Sequence, residues 1–326
     1  MIGVIGAGAW GTALAQALAS DGTEVLLWAR EPELVDEINL RHSNSLFLSS
    51  AKLARCIVAT NRIGDMAGIS SVLLVAPAQH VAAVLGELDD VPRDLVLCAK
   101  GIEASSGRLM AEVAAQAAPA ASLAVLSGPT FAHEVAAGLP TAVTLACAGG
   151  EAQWTRLAPV LARPALRPYY SDDVIGAEIG GAVKNVLAIA CGVVAGLGLG
   201  ENARAALIAR GYAEMVRFGL ARGARTETLA GLCGLGDLVL TCSSTASRNF
   251  SLGQALGEGL SAAEALAGKS SVAEGAHTAP ILAALARHEG VAMPIVEAVE
   301  RLLAGRAGAR EVAADLLARP LREEAA

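Results

Sequence analysis

The sequence predicts an α/β fold: a Rossmann-like, doubly wound and mainly parallel sheet followed by an all-helical second domain. Three observations carry this reading. Short runs rich in Val, Ile and Leu recur through the first half with Ala-rich, helically periodic segments between them, and strands that alternate with helices form parallel sheets. The runs are continuously apolar rather than alternating, as in strands covered by helices on both faces. Beyond residue 172 the strand pattern stops and only helical spacing remains.

The apolar runs fall at residues 2–5, 24–28, 57–59, 72–75, 95–98 and 123–126, and the intervening helical segments include 11–19, 32–41, 80–88 and 107–117. Helical spacing then covers 174–196, 203–222, 261–267, 274–289, 294–304 and 309–318. Pro-rich residues 163–168 precede the change of texture. The division therefore falls into 1–172, a dinucleotide-binding domain for the reasons given below, and 173–326, a helical substrate and catalytic domain.

Composition narrows the function classes. The chain of 326 residues is 54% hydrophobic and 17% charged, which is the balance of a folded globular protein. Its net charge of −7 argues against a nucleic-acid partner, which needs a basic face for phosphates. The lysines are only Lys52, Lys100, Lys184 and Lys269, so each position is informative. The cysteines Cys56, Cys98, Cys147, Cys191, Cys233 and Cys242 show no C-x-x-C pair, and they read as reduced thiols of a cytoplasmic protein. The five histidines have no metal-ligand spacing, and no metal is expected. No secretion signal is evident at Met1. The apolar, uncharged run 185–200 would span about 24 Å as a helix, short of a ~30 Å bilayer core, so no membrane insertion is expected.

The sharpest motif is Gly6-Ala7-Gly8-Ala9-Trp10-Gly11, set between the first strand and the first helix. Gly6 permits the tight turn, Gly8 lets backbone approach a pyrophosphate, and Gly11 allows close helix–strand packing. The helix N-terminus then offers free N–H groups and the positive end of its dipole to phosphate. Arg30 follows the second strand, where NAD-preferring sites usually carry an acid and where Arg suits a 2′-phosphate. This favours NADP over NAD, with a solvated charge beside Glu31 as the alternative.

Lys100 follows the fifth strand and Ser127-Gly128-Pro129-Thr130-Phe131-Ala132 the sixth, and ligands of open α/β sheets bind at the carboxyl ends of strands. Lys184, in Gly180-Gly181-Ala182-Val183-Lys184-Asn185, heads the most apolar helix. Desolvation there disfavours an ammonium, which makes Lys184 the best general acid/base candidate. Asp237 in Gly236-Asp237-Leu238 reads as a helix cap or as a partner for Lys184 or a substrate hydroxyl. Ser247-Arg248-Asn249 supplies several donors for one oxyanion, and Val272-Ala273-Glu274-Gly275 holds the remaining acid of interest.

In this order the motifs resemble the NAD(P)-dependent glycerol-3-phosphate dehydrogenase family, bacterial type, over nearly the whole chain. The resemblance implies reversible reduction of dihydroxyacetone phosphate to sn-glycerol 3-phosphate, a small phosphorylated substrate that feeds glycerophospholipid synthesis, in a homodimeric enzyme. It implies that Lys184 is the proton acceptor in the oxidative direction, that Lys100 contacts cofactor and substrate, and that Asp237 belongs to the catalytic set. Gly128, Thr130, Asp237, Ser247, Arg248 and Asn249 match substrate positions. Trp10, Arg30, Ala132, Arg248, Val272 and Glu274 match cofactor positions, beside Gly6, Gly8, Ala9 and Gly11. Ala9 stands where many members have Ser, and Thr130 replaces a common Ser while keeping the hydroxyl.

Two other readings compete. A β-hydroxyacid dehydrogenase would carry G-x-x-x-K-x-x-x-N; Gly180 and Lys184 fit, but position 188 is Ala. A catalytically silent NADP-binding sensor would keep the glycine loop without needing Lys184, Asp237 and the Ser247-Arg248-Asn249 cluster.

Overall fold

The structure, a computed structural model, describes residues 1–267 and 273–319. Two compact units emerge. One comprises Met1–Gly181 with Gly223–Asp237, and the other comprises Ala182–Arg222 with the described residues from Leu238 onward.

The first unit is built on eight strands: β1 (Ile2–Ile5), β2 (Val25–Trp28), β3 (Ile57–Thr60), β4 (Ser71–Leu74), β5 (Asp94–Leu97), β6 (Ser122–Ser127), β7 (Thr141–Cys147) and β8 (Leu166–Ser171). Their order is β3-β2-β1-β4-β5-β6-β7-β8. All neighbours run parallel except β6 and β7. The doubly wound, mainly parallel sheet is thus as expected, with its order reversing between β1 and β4. Side chains alternate across it: Val4, Leu73 and Val96 enter one core layer, and Ile5, Leu74 and Leu97 the other. Burial on both faces explains why these strands read as unbroken apolar runs.

Two strands have no counterpart in the expected set. β7 mixes small and β-branched residues with only partial burial at its start, so it lacks a long apolar run. β8, where the sequence reads as a Pro-rich connection, is an edge strand whose Tyr169 and Tyr170 are exposed. Pro168 is tolerated there because an edge strand has one unpaired side.

The second unit is helical, with no strand among its described residues. Its members include Gly200–Ala221, Arg248–Gly257, Glu274–His288, Pro294–Leu303, Ala309–Leu317 and the part of Val174–Gly196 that follows Gly181. Glycine permits a close helix crossing: a Cβ on Gly253 would lie 1.9 Å from the Ile189 carbonyl oxygen, and one on Gly192 2.0 Å from that of Phe250. Buried Glu214 accepts from the N–H groups of Ile295 and Val296 at the start of Pro294–Leu303, and burial pushes its carboxyl up to about 7. The long helix Val174–Gly196 is apolar because it is a core helix, with 89% of its most apolar stretch buried. All six cysteines are free thiols, and burial pushes Cys98 up to about 12.

Candidate functional site

The sheet places three motifs at one edge. The glycine loop leaves the carboxyl end of β1, Lys100 that of β5, and Gly128 that of β6. These are the ends where open parallel sheets hold ligands.

Within the loop, Gly6 has φ +116°, and a Cβ on Gly11 would lie 1.8 Å from the Gly6 carbonyl oxygen. Both positions are closed to side chains by the protein's own backbone. Gly8 differs: a Cβ there would meet nothing within 4 Å. Gly8 is the N-cap of Ala9–Leu18, which has no side-chain cap and no acidic residue in its first turn. Its orphan N–H groups and dipole are therefore available to an anion. The Trp10 indole N–H is buried and finds no acceptor among the described residues. Ala132 opens the short helix Ala132–Ala136, which packs on Ala9–Leu18. Arg30 is exposed beyond β2 and pairs with Glu31 at 3.1 Å. An uncapped helix start behind open space fits a dinucleotide pyrophosphate.

The second constellation of this unit centres on Lys100. Its Nζ donates to Asp237 Oδ2 at 2.8 Å and to the Gly128 carbonyl oxygen at 3.2 Å. Thr130 donates to the same carbonyl at 3.4 Å. Asp237 is fully buried and is paired with Lys100. A π-helical turn, Leu232–Gly236, delivers it, and such turns recur at functional sites. Gly181 explains part of its motif: a Cβ there would sit 3.2 Å from Ser127 Oγ and 3.3 Å from Lys100 Cγ. Ser127 Oγ is buried and has no partner among the described residues.

In the second unit, Lys184 is 5% exposed and its Nζ donates to Thr241 Oγ1 at 3.0 Å. A lysine so buried is costly unless it is held or used. Three motifs converge beside it in sequence. Asn249 Nδ2 donates to Asn185 Oδ1 at 2.9 Å, and its Oδ1 accepts from the Gly275 N–H at 3.0 Å. A Cβ on Gly275 would lie 2.5 Å from the Asn185 carbonyl oxygen, so glycine is required for this junction. Both ends of the Asn249 amide are thus engaged in joining helices. Ser247 caps Arg248–Gly257 by accepting from the Phe250 N–H at 3.2 Å, and Arg248 at its start is exposed. Glu274 opens Glu274–His288 and is half-buried. Val272 lies outside the described residues.

Thr241 is absent from the sequence-derived site residues, and Ser127 entered only as a member of its turn motif. Thr241 is one small polar residue in an apolar helix and announces itself only through its bond to Lys184. Among the described residues no group of three His, Cys, Asp or Glu is placed to hold a metal ion.

Comparisons with known proteins agree with this architecture. The model of the NAD-dependent glycerol-3-phosphate dehydrogenase N-terminus matches residues 1–153, and that of the C-terminus matches residues 173–314. The chain is 69% identical to glycerol-3-phosphate dehydrogenase (NAD(P)+) of Erythrobacter litoralis, covering 99% of this chain and 97% of that one. It is 70% identical to the Novosphingobium aromaticivorans enzyme of the same name, with 99% and 98% covered. The crystal structure of glycerol-3-phosphate dehydrogenase from Coxiella burnetii superposes with a TM-score of 0.91 at 40% identity, covering 98% of each chain. With both halves matched and full-length relatives at this identity, the chain belongs to the NAD-dependent glycerol-3-phosphate dehydrogenase family.

Proposed function

We propose that the chain catalyses the reversible NAD(P)-dependent interconversion of dihydroxyacetone phosphate and sn-glycerol 3-phosphate, supplying glycerophospholipid synthesis. The observation that carries the reading is the fixed Lys100 ammonium, held by buried Asp237 and the Gly128 carbonyl at the ligand-binding edge of the sheet. A dehydrogenase of a neutral carbonyl needs positive charge where the oxyanion develops.

NAD(P)H, when bound, supplies the hydride. Gly6, Gly8 and Gly11 shape the turn that receives its pyrophosphate at the start of Ala9–Leu18, with Trp10 and Ala132 beside it. Lys184, as ammonium, protonates the alkoxide oxygen during reduction and takes that proton back during oxidation. Thr241 orients the Lys184 Nζ. Lys100 supplies positive charge for a developing oxyanion, and Asp237 and Gly128 keep it in place. Arg248 and Ser247 anchor the substrate phosphate, Arg being suited to it by its forked donors. Asn249 holds the start of their helix through Asn185 and Gly275, while Thr130 shares the Gly128 carbonyl with Lys100. Glu274 and Val272 belong to the cofactor set, and Arg30 favours NADP through its 2′-phosphate. The enzyme is read as a cytoplasmic homodimer without membrane insertion.

The test is NADPH oxidation by the purified protein. Consumption on addition of dihydroxyacetone phosphate and none with tartronate semialdehyde supports the assignment. The reverse preference makes it a β-hydroxyacid dehydrogenase, and NADPH binding without turnover on either makes it a sensor.

A further inference from the structure

Asn44 lies between the helix Pro32–Arg41 and β3, outside every motif described above. It is fully buried. Its Nδ2 donates to the Ala7 carbonyl oxygen at 2.9 Å and to Thr12 Oγ1 at 2.8 Å. Thr12, also fully buried, donates to the same Ala7 carbonyl at 3.1 Å. Asn44 Oδ1 accepts from the Phe47 N–H at 3.0 Å, which uses the other end of the amide.

Ala7 sits between Gly6 and Gly8, in the tightest part of the glycine loop. Its carbonyl receives two side-chain donors, matching its two lone pairs. The peptide that carries this carbonyl also carries the Gly8 N–H, and in a planar trans peptide the two point in opposite directions. Holding the Ala7 oxygen toward Asn44 therefore turns the Gly8 N–H away from Asn44, to the far side of the peptide plane. Thr12 ties the same anchor to the first turn of Ala9–Leu18. The anchor itself is braced: Ser43 Oγ donates to Glu37 Oε1 at 2.7 Å, and Ser45 donates its N–H to Oε1 and its Oγ to Oε2, each at 2.8 Å.

We infer that Asn44 is a positioning residue that pre-sets the glycine loop for the dinucleotide pyrophosphate, acting through the Ala7 carbonyl and Thr12. Without it the loop must be ordered by the ligand, and that ordering is subtracted from affinity. The inference rests on the dinucleotide reading of the loop. Loss of two buried hydrogen bonds translates to roughly 30-fold weaker binding.

The test is NADPH titration followed by the fluorescence of the bound dinucleotide, using the full chain. Asn44→Ala is expected to raise the Kd about 30-fold while kcat at saturating NADPH changes less than about twofold. Thr12→Val is expected to weaken binding about fivefold, and Thr12→Ser, which keeps the hydroxyl, to bind as wild type. The control is Gln153→Ala. Gln153 is an equally buried amide of the same unit, bonded to the Ser122 carbonyl and the Gly149 N–H at the opposite edge of the sheet. It is expected to lower Tm and leave the Kd unchanged. Equal Kd in Asn44→Ala and wild type, or an equal loss in Gln153→Ala, overturns the inference. If Asn44→Ala does not fold, the Thr12 pair decides: Val and Ser binding alike overturns it. Failure of the wild type to bind NADPH or NADH overturns the dinucleotide reading first, and the inference with it.

Discussion

Lys100 and Asp237 hold each other at 2.8 Å, with the carboxylate fully buried and the lysine side chain 15% exposed. The pair brings together residues 137 positions apart in one chain. The lysine gains a second anchor in the Gly128 carbonyl, so its ammonium has little freedom. In the proposed reaction this ammonium charge is already in place when the oxyanion develops.

Removal of the carboxylate tests this. Asp237→Asn leaves a poorly compensated, partly buried ammonium, which costs roughly 2–4 kcal/mol of stability. Misplacement of Lys100 lowers kcat/KM for dihydroxyacetone phosphate by about 100-fold. Thermal unfolding and steady-state kinetics on the same preparation measure both effects, and NADPH affinity serves as the internal reference.

Stability is expected to fall as pH rises through neutrality. Burial pushes Glu178 up to about 8 and Glu214 up to about 7, from an ordinary value of 4.5. Neighbouring Glu112 adds to the rise of Glu178, while the N–H groups of Ala111 and Met110 oppose it. Arg217 opposes, and Glu297 assists, the rise of Glu214. A raised acid favours the fold while protonated, so this contribution is complete below about 4.5 and is lost as pH passes about 7 to 8. Tm measured across this window should decline in the wild type and decline less steeply in Glu214→Gln.

Arg30 tests cofactor choice. Its side chain is 79% exposed and, among the described residues, is engaged by Glu31 alone, an exposed pair of small strength. A 2′-phosphate would compete well for it. Arg30→Ala should weaken NADPH binding about tenfold and leave NADH binding unchanged. An equal effect on both dinucleotides would assign Arg30 to the loop surface alone.

The sequence made the sheet and the motif ends visible because β1 to β6 are covered on both faces and their apolar runs are unbroken. β8 escaped because an edge strand with Pro168 and two exposed tyrosines carries no such run. Gly6 and Gly11 were legible since backbone contact forbids side chains there. Gly180, Gly181 and Gly275 were visible as motifs, but their reasons lie in Cys233, Lys100 and Asn185 respectively, which only the folded chain brings near. The sequence left several roles open for Asp237; its ion pair with Lys100 depends on a turn that returns to the first unit. Asn44 and Thr241 carry no periodicity or spacing, and each is recognised only through the tertiary hydrogen bonds it makes.

The most direct test of the account concerns Lys184. NADPH affinity and the rate of NADPH oxidation with saturating dihydroxyacetone phosphate should be measured for wild type and Lys184→Ala. The account predicts a Kd within about threefold of wild type and a rate lower by roughly 10²–10⁴-fold. A rate close to that of wild type would contradict the assignment of Lys184 as the group that moves the proton.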